Sequence, residues 1–208
     1  MMTSRTRLIL VALLSGLLAA AVTFFVIGRA GPPGDGSPEA GFARDMAVHH
    51  AQAVEMSFAV RDVSDDRALR GLSYDIITTQ TAQRGVFMGW LQQWGLNQSG
   101  SRPSMAWMAA HASHGTPAAP AAMPGMASQE EMRRLVAAKG RDAEVLFLQL
   151  MIRHHQGGVK MAQALLDLSD RDEVRTMARH IVDTQDGEIE YMTRLLAERD
   201  ARPYPALA

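Results

Sequence analysis

One frame occurs twice in this chain. Residues 42–58 read FARDMAVHHAQAVEMSF and residues 147–163 read FLQLMIRHHQGGVKMAQ. The offset is 105 residues, His49 to His154, and it holds outside the frame. Glu39 aligns with Glu144, Ser64 with Ser169, Arg70 with Arg175 and Gln80 with Gln185, with no gap across the turn signals Asp62, Ser64, Asp65 and Asp167, Ser169, Asp170. Each half is therefore one unit, a helical hairpin. A single hairpin cannot bury its apolar stripe, so the two must pack on each other, and an all-α four-helix bundle with a long central connection is expected.

The residue supply agrees. Apolar residues make up 47% of the chain and aromatic ones 6%, with 14 methionines, and Ala, Leu, Met, Arg, Gln and Glu dominate over strand formers. The formal charge of −1, without a basic block, excludes general nucleic-acid binding, which needs clustered Lys and Arg. With no cysteine, disulfides, thiolate metal sites and cysteine nucleophiles are excluded. A soft-metal site here has only thioether and imidazole to use.

Residues 8–28 form an uncharged run, long enough to cross roughly 30 Å of hydrocarbon. Arg5 and Arg7 before it place the N-terminus in the cytoplasm and the rest across the membrane. Residues 1–30 read as a membrane anchor or transmembrane helix, with a cleaved signal segment as the alternative. Residues 31–38 read as a flexible spacer. The domain then spans residues 39–200, with repeats at 39–96 and 141–200 and a tail at 201–208. The connection, 97–140, is rich in Met, His, Ala and Pro and reads as a linker. Within it Ser128 and Glu131 make a capping box before a short helix ending at Gly140. Met105, Met108, His111, His114, Met123 and Met126 make the linker either a spacer or a mobile arm of soft ligands.

On a helix, Phe42, Met46, His49, His50, Ala53 and Met56 fall within roughly a third of the circumference, as do Phe147, Met151, His154, His155, Gly158 and Met161. Methionine at such spacing is ordinary core filler, and an inward histidine is often a hydrogen-bonded core residue. The duplicated combination favours a metal centre of Met46, His49, His50, Met56, Met151, His154, His155 and Met161. Carboxylate bundles that hold iron or manganese use Glu-x-x-His, whereas Met-x-x-His stands here, at Met46 to His49 and Met151 to His154. Thioether with imidazole suits copper, Cu(I) first, with Ag(I) as its mimic and Cu(II) open at the histidines. The helical angles favour His154 over His155 as the residue facing the metal. Gly157 and Gly158 cost about 1 kcal/mol each relative to Ala within a helix, which implies close approach of another element or a local widening. His180 breaks the repeat and is assigned a structural role.

The F-x-x-x-M-x-x-H-H frame, the segment MPGMAS at 123–128, and Gln185 with Glu188 before Met192 resemble the bacterial domain-of-unknown-function family 305 over about residues 38–200. The resemblance implies a ferritin-like four-helix bundle and, from some members, periplasmic or secreted copper binding connected with copper tolerance. It assigns ligand character to the same four residues of each repeat. Gln83 stands where the second repeat has Glu188, and Phe87 where it has Met192, which favours the second repeat if only one binds.

The function expected is extracytoplasmic copper binding, for buffering, tolerance or delivery, with the copper ion and the membrane as partners; homo-oligomer formation stays open. No nucleophile and base form a recognisable set, so an enzyme is disfavoured. Two rivals remain: a ferritin-like metal-dependent oxidase with Glu39 and Glu144 joining the histidines, and a helical interaction module without metal. Whether the two half-sites share one ion also stays open.

Overall fold

The computed structural model describes residues 4–28, 31–108, 123–205 and 207. Among them are six helices and no strand: α1 (Ser4–Gly28), α2 (Pro38–Arg61), α3 (Arg67–Gln93), α4 (Gln129–Ala137), α5 (Gly140–Leu168) and α6 (Asp172–Ala197). The chain divides into two units, Met1–Pro33 and Gly34–Ala208. In the first, α1 is apolar and long enough to cross a membrane, consistent with a signal or an anchor.

The second unit is the bundle. Ser37 caps α2 by accepting from the Ala40 amide at 3.2 Å, with Pro38 in the first turn, where its missing N–H costs nothing. Asp66, rather than Asp62, Ser64 or Asp65, caps α3 through the Leu69 amide at 2.9 Å. Ser64 and Asp62 still belong to the turn, and Arg70 ties it by donating to the Arg61 and Ser64 carbonyls. Arg175 does the same for Leu166 and Ser169 in the second hairpin. The capping box of Ser128 and Glu131 is formed, but α4 stops at Ala137. Gly140 does not end it: at φ +51° this residue opens α5, because the backbone there turns into the next helix.

The direction of packing follows from which methionines meet. Met46 and Met161 share one core cluster with Phe42, Phe87 and Ile181; Met56 and Met151 share another with Phe147, Leu69 and Met192. The early part of α2 therefore lies beside the late part of α5, and the two central helices run antiparallel. Reciprocal polar contacts close both ends: Ser64 donates to Glu144 at 2.6 Å and Ser169 to Glu39 at 2.5 Å. These are equivalent pairs in the two repeats, so the duplication is expressed as a pseudo-twofold axis between α2 and α5.

The connection between the hairpins is docked at both described ends, which its composition did not suggest. Met105 and Trp107 are buried, and the Met105 amide and Trp107 indole both donate to Asp45, at 2.7 and 2.9 Å. At the other end, residues 123–128 lie on α2 and α5. His111 and His114 fall outside the described residues.

Candidate metal centre

The pseudo-twofold axis passes through histidines. His49 on α2 and His154 on α5 lie ring against ring, with centroids 3.7 Å apart and planes inclined at 32°. All four histidines of the repeated frame are fully buried. The structure brings His49 and His154 together; it sets His50 and His155 outward on the same layer, each tied to the second helix of its own hairpin. His50 Nε2 meets Gln83 Oε1 at 2.7 Å and His155 Nε2 meets Glu188 Oε2 at 2.6 Å. Those partners are equivalent positions, one neutral and one acidic.

The third contact comes from the linker. His49 Nε2 meets the carbonyl oxygen of Pro124 at 3.0 Å. A carbonyl can only accept, so Nε2 carries the proton and donates, and Nδ1 keeps its lone pair. The Glu188 carboxylate accepts from His155 Nε2 in the same way. Nδ1 of His49, His50 and His155 has no hydrogen-bond partner, and His154 has none at either nitrogen. Burial drives the His49 pKa down to about 4 and that of His50 to about 3, and it holds His154 well below the ordinary histidine value. These three imidazoles are neutral near pH 7. Neutral imidazole with a free lone pair is the form that ligates metals, and an unpaired buried ring nitrogen is otherwise a cost.

The thioethers flank this layer. Met46 and Met161 lie on one side, Met56 and Met151 on the other, all fully buried on the inward faces. Met123 packs against the first group. Among the described residues no three His, Cys, Asp or Glu side chains converge as a ready-made cage. The donor set is imidazole with thioether, and its chemistry fits a soft monovalent ion better than a hard one.

Glu39 and Glu144 do not join the histidines. They sit about ten residues along each helix, roughly 15 Å at 1.5 Å per residue, engaged with Ser169 and Ser64. Glu144 also accepts from Arg199 at 2.8 Å. His180, assigned a structural role above, is exposed on α6.

Gly157 and Gly158 have separate reasons. A Cβ on Gly157 would stand 2.0 Å from the Pro124 carbonyl oxygen, and one on Gly158 would stand 2.4 Å from Gln185 Oε1. The first admits the linker and the second admits α6. The linker's role was beyond the reach of residue types, because its contact is a backbone oxygen. Its one signal was the Pro-Gly pair within MPGMAS, a turn former.

Two antiparallel hairpins joined by one long crossover, with inward-facing ligand-type side chains at mid-bundle, define a ferritin-like four-helix protein. The family model described as Domain of unknown function (DUF305) matches residues 39–196, and the chain belongs to that family. A crystal structure of a Streptomyces coelicolor DUF305 protein, described as a candidate secreted protein, is 45% identical. The match covers 83% of this chain and 99% of that one, with a TM-score of 0.75. A DUF305 fragment from Deinococcus radiodurans is 36% identical over 77% of this chain and 96% of its own, with a TM-score of 0.63. CopM in its Cu(I)-bound form shares the fold at 23% identity, over 78% of this chain and 96% of that chain, with a TM-score of 0.58. CopM is also known in Cu(II)-bound, Ag-bound and apo forms. No curated protein matches the chain.

Proposed function

We propose that this protein binds copper, as Cu(I), on the far side of the cytoplasmic membrane, and serves to buffer, tolerate or deliver it. The observation that carries the reading is the stacked pair His49 and His154: two neutral, fully buried imidazoles with unpaired ring nitrogens, one from each repeat. The 3.7 Å stacking of one imidazole from each repeat supports a single ion shared by the two half-sites. His49 and His154 are its imidazole ligands. Met46 with Met161 and Met56 with Met151 supply thioethers from either side, and His50 and His155 complete the layer. Copper and silver forms of CopM support the choice of metal, and the apolar α1 supports export or anchoring.

The test is competition of the full-length protein in detergent against a calibrated Cu(I) chelator under anaerobic conditions. Wild type withdraws Cu(I); the double variant His49→Ala/His154→Ala loses at least a hundredfold in affinity. If the wild type takes no Cu(I) even from a weak chelator, copper binding is wrong.

A further inference from the structure

Residues 123–127 are held against the histidine layer by more contacts than a passive linker needs. The Met126 amide lies 3.4 Å from the Met123 carbonyl, with Pro124 at the second position and Gly125 at φ +76° at the third, the residue order of a type II turn. A Cβ on Gly125 would stand 2.3 Å from the Arg153 carbonyl oxygen, so the turn lies directly on the α5 backbone. Gln52 grips its far end with both amide atoms, accepting from the Ala127 amide at 2.7 Å and donating to the Ala127 carbonyl at 2.8 Å. Beyond it, Arg153 of α5 makes two bonds of 2.8 Å to Glu131 of α4.

The duplication makes the placement informative. Gln52 and Gly157 occupy equivalent positions in the two repeats, yet both serve this single turn: Gln52 binds it, and Gly157 provides the space its Pro124 carbonyl fills. An asymmetric segment thus crosses a pseudosymmetric site, and the two copies have diverged to complementary shapes where it crosses.

We propose that the Met123–Ala127 turn is a working part of the metal centre, with the Pro124 carbonyl as the positioning group for His49 and Gly157 as the residue that admits it. The inference rests on the copper reading of the same site. The carbonyl holds the proton on Nε2 and so presents the Nδ1 lone pair to the ion. No bond breaks when the ion arrives at Nδ1; the imidazole is polarised, its Nε2–H becomes a stronger donor, and the bond to Pro124 tightens. Docking of the turn and binding of the ion therefore reinforce each other, by the same factor in both directions.

The test uses the full-length chain in detergent, Cu(I) for affinity, and Ag(I) as a diamagnetic probe. Gly157→Ala drives a Cβ into the Pro124 carbonyl and changes no histidine; Gln52→Ala releases the other end and leaves the α5 sequence unaltered, so it decides the matter if Gly157→Ala fails to fold. We expect at least a tenfold loss of Cu(I) affinity in Gly157→Ala and a severalfold loss in Gln52→Ala. Imidazole 15N spectra of the variants are expected to show His49 leaving the pure Nε2–H tautomer. Hydrogen exchange at residues 125–127 is expected to slow when Ag(I) binds wild type. Unchanged affinity in both variants, or exchange in the turn that ignores Ag(I), overturns the proposal while leaving copper binding intact. A wild type that binds neither ion overturns both.

Discussion

His49 and His154 stand 105 residues apart in the chain and 3.7 Å apart as stacked rings. The second is the less well satisfied: it is fully buried, and neither ring nitrogen makes a hydrogen bond of good geometry, the His49 backbone giving at most a weak one. A buried polar group without partners costs roughly 1–3 kcal/mol, and a side chain that carries such a cost is retained for something other than stability. His154→Leu is expected to leave the metal-free protein as stable as wild type, or about 1 kcal/mol more so, while abolishing Cu(I) binding. Urea unfolding of the apo protein beside a Cu(I) competition checks both halves; a loss of more than about 1 kcal/mol shows that the imidazole is structural.

Acid should unfold the bundle through the same layer. His49 and His50 have native pKa values of about 4 and about 3, against 6.5 when free, with burial as the main cause. The unfolded chain binds more protons between those values, so stability is fully present above pH 6.5 and falls as the pH drops from there toward about 4. Urea midpoints measured from pH 7.5 to 4 should decline across that window, and the decline should shrink in His50→Leu.

At the α5–α6 contact, Gly158→Ala sets a Cβ 2.4 Å from Gln185 Oε1. Overpacking costs about 1–3 kcal/mol, but Ala regains about 1 kcal/mol of helix propensity and the flexible Gln185 side chain can turn aside in part, so a net loss of no more than about 2 kcal/mol is expected. Shortening the opposing side chain in Gly158→Ala/Gln185→Ser should recover part of the loss, as a double-mutant cycle by thermal or urea unfolding will show.

Arg199 is 8% exposed and bridges the bundle end, donating to Glu144 at 2.8 Å, Asp66 at 2.9 Å and the Leu195 carbonyl at 2.9 Å. Arg199→Ala leaves the Glu144 carboxylate with Ser64 alone, and removal of one partner from a buried pair costs about 3 kcal/mol. Glu144→Gln in the same background should restore some of it, since the stranded charge is gone.

The bundle was legible because helical period, duplication and turn residues all pointed one way. Met46 and Met151 at 3.6-residue spacing from their neighbours, with Ser64 and Ser169 in matched turns, required two hairpins and left little choice of fold. The convergence of His49 with His154 was not legible, because spacing along one helix gives the direction of a side chain and not the register between helices; that register was set by Glu39 with Ser169 and Glu144 with Ser64. Asp66 escaped as a cap because its counterpart, Arg171, makes no side-chain cap bond, so the repeat gave no hint of it. Asp45, Pro124 and Ala127 escaped because they act through a loop or a backbone atom, and no residue type announces that.

Whether one Cu(I) is held between the two repeats is decided by titrating histidine-labelled protein with Cu(I) and following the imidazole 15N resonances. His49 and His154 are expected to shift together and saturate at one equivalent. Resonances that stay still, or that move separately at different equivalents, contradict it.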